Sequence, residues 1–419
     1  MKRTLFRNGL ILTQDPARKI LRGSVLVDGD RIEEVGQVRS SWDEIIDCTD
    51  KIIMPGLFNT HCHVAMSHLK GKLDDISLST FLERTFKLDG ERTEKGIYNS
   101  TRLGTLEMLS AGITSFVDLY YSEDIIARSA KESGIRGFLA WNTLDQDKTT
   151  QKGDTVSNAE RFITEFSRGG LITPGIGVQG VYVAGDEIFS RAKEVARKHR
   201  TFSHIHLAET REEVYGFLKG DARERPIEHL FRIGFLGPEV LAAHCVWANS
   251  SEIRYLARSG TKVSWNPVSN SKLAVGGIAP VPEMLESGVN LSIGTDSSGS
   301  NNSLDIIQSM KFGAIQIKNQ RWDPRKANAQ AVLDMATING PMALGRSDLG
   351  SLETGKTADI ITISLKNPRM WPTDANNAVQ NIVYSADSSC VMEVMVGGVL
   401  RKEGGIMKDD FYAEPDSLV

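Results

Sequence analysis

Six side chains in this sequence have the types and spacing of a hydrolytic metal centre. His61 and His63 form a His-x-His pair, His206 precedes Glu209 in His-Leu-Ala-Glu, His244 sits in Ala-His-Cys-Val-Trp, and Asp296 ends Gly-Thr-Asp. Side chains alternate between the faces of an extended strand, so His61 and His63 point the same way. Three imidazoles and a carboxylate converging on one point make a site for a first-row divalent ion. Zinc is the first expectation, and iron(II) or manganese suit the same donors. A coordination position left to water makes such a site catalytic. A lone His-x-His pair reads equally well as two hydrogen-bonded core residues, so the metal reading depends on what positions the other ligands.

From about residue 54 the chain alternates apolar, β-branched runs with amphipathic segments, the pattern of strands followed by covering helices. Eight strands are predicted, at 54–63, 113–119, 135–142, 172–179, 203–208, 240–245, 262–266 and 290–295. Helical patterns lie between them at 102–110, 124–133, 159–167, 186–199, 226–233, 251–259 and 281–286. Eight evenly spaced units predict a closed (β/α)8 TIM barrel, with an open doubly wound α/β sheet as the alternative. Barrel active sites collect at the carboxyl ends of the strands, and there the six residues fall. His61 and His63 end the first strand, His206 and Glu209 the fifth, His244 the sixth and Asp296 the eighth. The fourth strand ends Gly177-Val178-Gln179-Gly180, with neither a lysine nor a glutamate to bridge two ions, so one metal is expected. His204 lies deeper in the fifth strand and reads as a supporting residue. His68, His199 and His229 read as structural, and Cys62 and Cys245 as packing groups.

The chain ends have a different texture. Short strand-like pieces at 10–12, 23–27, 31–35 and 44–47 are matched by others at 359–364, 382–384, 391–396 and 400–401. The expected organisation is a composite β-sandwich domain from 1–53 and 352–419 beside a barrel hydrolase domain at 54–351. The stretch 70–95 reads as a long loop that lines the pocket or a subunit contact.

Composition narrows the class. With 419 residues, 40% hydrophobic, 24% charged and a formal net charge of −4, the chain can bury a full core and lacks the basic excess of a phosphate-backbone binder. Nucleic acid is not an expected partner. Four cysteines without paired spacing fit a reducing, cytoplasmic compartment. The opening segment has no long apolar run and no stretch approaches the ~18 residues of a membrane span, so neither secretion nor insertion is expected.

These motifs carry a resemblance. The chain resembles the amidohydrolase superfamily, in the branch of methylthioadenosine/S-adenosylhomocysteine deaminases and related chlorohydrolases, over nearly its whole length. The resemblance rests on Met-Pro-Gly-Leu-Phe-Asn-Thr-His-Cys-His (54–63), His-Leu-Ala-Glu (206–209), Ala-His-Cys-Val-Trp (243–247), Asn-Pro-Val-Ser-Asn-Ser-Lys-Leu (266–273), Gly-Thr-Asp (294–296) with Ser-Asn-Asn-Ser-Leu-Asp (300–305), and Gly-Ser-Leu-Glu-Thr-Gly-Lys-Thr-Ala-Asp (350–359). It implies that His61, His63, His206 and Asp296 hold one metal while Glu209, His244 and Asp296 handle protons. It also implies a homo-oligomer acting on a small molecule. The chemistry suits deamination: a ring carbon bearing an amino group becomes electrophilic when the adjacent nitrogen is protonated, and Glu209 supplies that acid.

Substrate choice is where the sequence departs from the branch. By resemblance, ribose hydroxyls are bound by a glutamate after the first strand and a histidine at the end of the fourth, positions that fall here on Asp89 and Gln179. Ser300 is a further expected substrate contact. No arginine lies between Arg136 and Arg161 to pair with an amino-acid tail, and Lys148 and Lys152 lack the bidentate geometry. The expected reaction is hydrolytic deamination of 5′-deoxyadenosine, methylthioadenosine or adenosine to the inosine derivative and ammonia. The alternatives are an aminohydrolase or chlorohydrolase acting on guanine, a pterin, a cytosine-like ring or a triazine, and a non-catalytic scaffold.

Overall fold

The computed structural model describes residues 2–167, 169–220 and 223–409. Residues 410–419 of the expected composite domain lie outside them. The described chain divides into two compact units. One holds the chain up to Asn59, Leu106–Ser115 and the chain from Asp305 onward; the other holds Thr60–Thr105 and Phe116–Leu304.

The first unit is organised by a mixed sheet to which both chain ends contribute. From the beginning of the chain come β1 (Arg3–Leu12), β2 (Ile20–Asp28), β3 (Arg31–Gly36), β4 (Glu44–Asp47) and β5 (Lys51–Pro55). The central barrel follows, with β6 (Leu57–Cys62), β7 (Ile113–Tyr120), β8 (Arg136–Thr143), β9 (Ile172–Val178), β10 (Ser203–Leu207), β11 (Val240–His244), β12 (Lys262–Trp265) and β13 (Leu291–Ile293). The chain then returns to the first sheet with β14 (Ile360–Ser364), β15 (Val391–Val396), β16 (Val399–Glu403) and β17 (Ile406–Met407). Strands β5 and β14 join the two ends antiparallel, with Ile53 opposite Thr362. Phe6, Ile11, Val25, Ile53, Ile360 and Met395 pack the core of this sheet.

All eight expected barrel strands are present, in sequential order from β6 to β13. The amides of Thr295 and Asp296 donate to the His61 carbonyl at 3.1 and 2.9 Å, which brings the barrel close to closure. β7 and β8 are buried at every residue, so both faces of each strand are covered, and Thr114, Ser115 and Asp118 of β7 and Arg136 of β8 are buried with their apolar neighbours. The helices Asp186–His199 and Val281–Glu286 have the bounds expected of them. The first carries Asp186 and Glu187 in its first turn and Arg197, Lys198 and His199 in its last, each complementing the helix dipole. No described helix is long and apolar enough to cross a membrane.

Three expectations are corrected. The run 54–63 is not one strand: Gly56 separates β5 from β6, and a Cβ there would stand 2.1 Å from Thr114 Oγ1. Residues 382–384 are not a strand but the end of the helix Ala378–Tyr384, which buries Ala378, Val379, Ile382 and Val383 on one face. Three apolar residues satisfy either period, and the wider i, i+1, i+4, i+5 spacing decides. The stretch 70–95 contains the helix Leu78–Gly90, capped by the Ser77 hydroxyl accepting from the Thr80 amide. The nearly neutral hydropathy of this helix hides its apolar stripe.

Candidate active site

The residues expected to do chemistry meet at the carboxyl ends of the barrel strands. His61 Nε2 and His63 Nε2 stand 3.8 and 3.4 Å from Asp296 Oδ1, and His206 Nε2 stands 3.1 Å from His63 Nε2. Two further triads have donor atoms within 4.8 Å of one another: His61, His206 and His244, and Glu209, His244 and Asp296. The backbone is left-handed at Ala208 (φ 49°), His244 (φ 74°) and Asp296 (φ 63°). Non-glycine residues held there store strain of ~1–3 kcal/mol each, and such strain gathers at functional sites.

The hydrogen bonds at the far side of each ring fix its tautomer. His63 Nδ1 donates to the Leu119 carbonyl at 2.6 Å and His206 Nδ1 to the Gln179 carbonyl at 2.8 Å. A carbonyl only accepts, so in each neutral ring Nε2 carries the lone pair. Two lone pairs facing each other at 3.1 Å repel unless they share a cation. Burial pushes His61 and His206 well below the usual imidazole range, which keeps them in the ligand form. Ser269 Oγ donates to Asp296 Oδ2 at 2.5 Å, and Oδ1, which accepts from the Ser297 amide at 2.7 Å, faces the imidazoles. The donor set therefore fits one divalent cation held by His61, His63, His206 and Asp296.

His244 is built differently. Its Nδ1 accepts from the carboxamides of Asn270 at 2.9 Å and Asn266 at 3.2 Å, which assigns its proton to Nε2 and makes it a hydrogen-bond donor. Its Nδ1 is also 3.7 Å from Glu209 Oε1. Burial first, and then the nearby Asp296 charge, push Glu209 up to about 8 against the opposing pull of His63. Glu209 is held from behind: the Glu213 carboxylate accepts from the amides of Ala208 and Glu209, both at 2.8 Å, and Thr210 caps the helix Arg211–Lys219. Glu213, Ser269, Asn266, Asn270 and the carbonyl partners were not singled out by the sequence as working residues. For the last four polar side chains the signal was the Asn-Pro-Val-Ser-Asn run and the second acidic residue after Glu209.

Of the expected substrate contacts, Glu209 belongs to the donor cluster, whereas Asp89, Gln179 and Ser300 are engaged with other side chains. Asp89 is buried, with its carboxylate accepting from the Tyr120 hydroxyl and, at 2.6 Å, from the Tyr121 hydroxyl; Arg92 Nη1 is 3.5 Å away. The Gln179 amide oxygen accepts from Asn142 Nδ2 at 2.5 Å, and its Nε2 donates to the Tyr182 hydroxyl at 3.0 Å. Ser300 is buried in the turn after Asp296, where its hydroxyl meets Ser297 Oγ at 3.1 Å. His68 and His229 are buried, the latter between Asp186 and Glu224, and His199 pairs with Glu160. The thiols of Cys62 and Cys245 are buried and pushed well up by that burial, so both are neutral packing groups.

Comparison with known proteins finds relatives over nearly the whole chain. The model of the amidohydrolase family matches residues 52–401. The chain is 37% identical over 409 residues to a 5′-deoxyadenosine deaminase of Methanosarcina mazei, covering 96% of this chain and 94% of that one. It is 35% identical over 407 residues to 5-methylthioadenosine/S-adenosylhomocysteine deaminase 1 of Archaeoglobus fulgidus, covering 97% and 94%. Among solved structures, a zinc-bound adenosine deaminase from Xanthomonas campestris superposes with a TM-score of 0.93 at 27% identity, covering 97% of this chain and 94% of that one. The chain belongs to the amidohydrolase family.

Proposed function

We propose that the protein is a metal-dependent aminohydrolase that converts an adenosine derivative and water into the inosine derivative and ammonia. The observation that carries this reading is the Glu209 carboxyl, 3.7 Å from His244 Nδ1, beside a three-histidine, one-aspartate donor set. Amide hydrolysis needs a proton only for its leaving amine, which Asp296 can return, whereas an aminated heterocycle needs a second acid to protonate the ring nitrogen. Relatives over nearly the full length are named as deaminases of 5′-deoxyadenosine and of methylthioadenosine or S-adenosylhomocysteine, which supports the substrate class. Zinc is the proposed ion, as in the zinc-bound neighbour, with iron and manganese compatible with the same donors. Four free, buried cysteines support a reducing, cytoplasmic setting.

The geometry supports the following roles. A divalent ion bound by His61, His63, His206 and Asp296 supplies Lewis acidity that lowers the pKa of water toward neutrality. Glu209 gives its proton to the ring nitrogen next to the amino-bearing carbon, and Asp296 takes one from the water that attacks that carbon. The Nε2 proton of His244 stabilises the oxygen as negative charge develops on it. Asp296 then passes its proton to the amino group, which leaves as ammonia. The proton of the new hydroxyl returns to Glu209, and the product keeps its ring N–H.

A second reading, the same chemistry on a ring without ribose, has one observation in its favour: Asp89 and Gln179 already have internal hydrogen-bond partners. Ammonia release from zinc-replete protein tests both. The panel is adenosine, 5′-deoxyadenosine, methylthioadenosine, S-adenosylhomocysteine, adenine, guanine and an aminotriazine. Turnover confined to the adenosine derivatives supports the first reading. Turnover of a free base or a triazine alone would replace it with the second.

A further inference from the structure

We propose that His204, which is not a metal ligand, is the positioning residue that decides which nitrogen of His61 faces the cation. The inference rests on the metal reading above and adds to it how one ligand is prepared. His204 lies on β10 in register with Leu241 of β11, and its Nδ1 is 2.7 Å from the Leu241 carbonyl oxygen. That carbonyl can only accept, so Nδ1 carries the proton. Both the His204 and His61 rings are fully buried, which favours neutral imidazoles, and a neutral His204 then presents a bare Nε2. His61 Nδ1 lies 2.8 Å from that nitrogen and must donate to it. The remaining nitrogen of His61, Nε2, is therefore its lone-pair end, and it is the atom turned toward Asp296 Oδ1.

The bond runs across the barrel interior, from the fifth barrel strand to the first. His63 and His206 receive the same instruction directly from backbone carbonyls, those of Leu119 and Gln179. For His61 it arrives through a second imidazole, so the proton order Leu241 carbonyl, His204, His61 forms a one-way chain. Reversing any link would put a proton on the ligating nitrogen of His61. Partners of this kind are worth roughly 10–100-fold in metal affinity.

The test uses two variants of the full-length protein and a zinc dissociation constant measured by competition with a chromophoric chelator. His204→Met fills a similar volume but offers no strong acceptor, and His204→Gln places an amide oxygen where it can accept from His61. Zinc affinity should fall about 10–100-fold in His204→Met and be largely restored in His204→Gln. The melting temperature of the metal-free protein should be similar in the two variants, which separates positioning from packing. Equal affinity in wild type and His204→Met, or equal loss in both variants, overturns the proposal. Should the Met variant fail to fold, two-bond proton-nitrogen NMR of metal-free wild type reports the tautomer directly. His61 protonated at Nδ1 is expected, and His61 protonated at Nε2 overturns the proposal. A wild-type protein that takes up no stoichiometric zinc would instead sink the metal reading itself.

Discussion

The hydroxyl of Ser269 donates to Oδ2 of Asp296 at 2.5 Å, and this bond fixes the far side of the carboxylate. Oδ1 accepts from the Ser297 amide at 2.7 Å and stands 3.4 Å from His63 Nε2. Ser269 lies in the short helix Pro267–Lys272, just past the end of β12, so the neighbouring strand end orients the eighth strand's ligand. Removing the hydroxyl in Ser269→Ala should weaken zinc binding by about tenfold without displacing the ion completely. Removing the charge in Asp296→Asn should abolish both stoichiometric zinc and turnover. Zinc content after dialysis, with the rate measured on the same samples, checks the pair. Full zinc occupancy in Asp296→Asn would refute its role as a ligand.

Chelator treatment should silence the enzyme reversibly. The imidazoles of His61 and His206 are neutral through burial, so no proton competes for them near neutral pH. Activity lost on dialysis against a strong chelator should return on adding about one equivalent of zinc per chain. A requirement for two equivalents would mean that a second ion binds despite the absence of a bridging side chain at Gln179.

The alkaline side of the rate profile should belong to Glu209. Its carboxyl is raised to about 8, by burial first and then by Asp296, and the reaction needs its protonated form. Activity is therefore held below that pKa and lost as pH rises through it. The positive charge of a bound cation pulls the carboxyl in the opposite direction, so the limb should fall at or below about 8. Glu209→Gln should cost ~10²–10⁴ in kcat while retaining zinc. A kcat/KM that stays flat beyond about pH 9 would remove Glu209 as the acid.

Much of this was legible in the sequence, for physical reasons that also mark where legibility ended. Strands buried on both faces stand out as short segments with few charges between turn residues, which is why β7 to β13 lie close to where they are expected. His61, His63, His206, His244 and Asp296 stood out because strand ends carry few polar residues of that type. What orients them did not stand out. The partners of His63, His206 and His204 are the carbonyls of Leu119, Gln179 and Leu241, and a backbone acceptor leaves no trace in the residue type. The helix Leu78–Gly90 was hidden for a different reason. Beside the stripe of Leu78, Phe81 and Leu88 that packs inward it exposes Leu82 and Phe86, and these apolar residues on the outer face blur the pattern.

Gly294 makes the last prediction, because its Cα lies against the backbone of His61 where the first and last barrel strands approach. A Cβ added there would lie 2.4 Å from Asn266 Oδ1, 2.8 Å from the His61 amide nitrogen and 2.9 Å from the His61 carbonyl oxygen. Two of those atoms are backbone and cannot swing away. Asn266 also serves His244, so the clash reaches the ring that faces the substrate. Gly294→Ala should therefore destabilise the protein by ~2–3 kcal/mol through overpacking and lower zinc affinity at the same time. Gly288→Ala is the control: nothing lies within 4 Å of its Cβ, and its φ of +76° alone is unfavourable for alanine. That substitution should cost ~1 kcal/mol and leave zinc binding unchanged. Urea unfolding of the metal-free proteins gives the two stabilities, and chelator competition gives the two affinities. If both variants lost stability equally with zinc affinity intact, the closeness of Gly294 to His61 would not be what shapes the site.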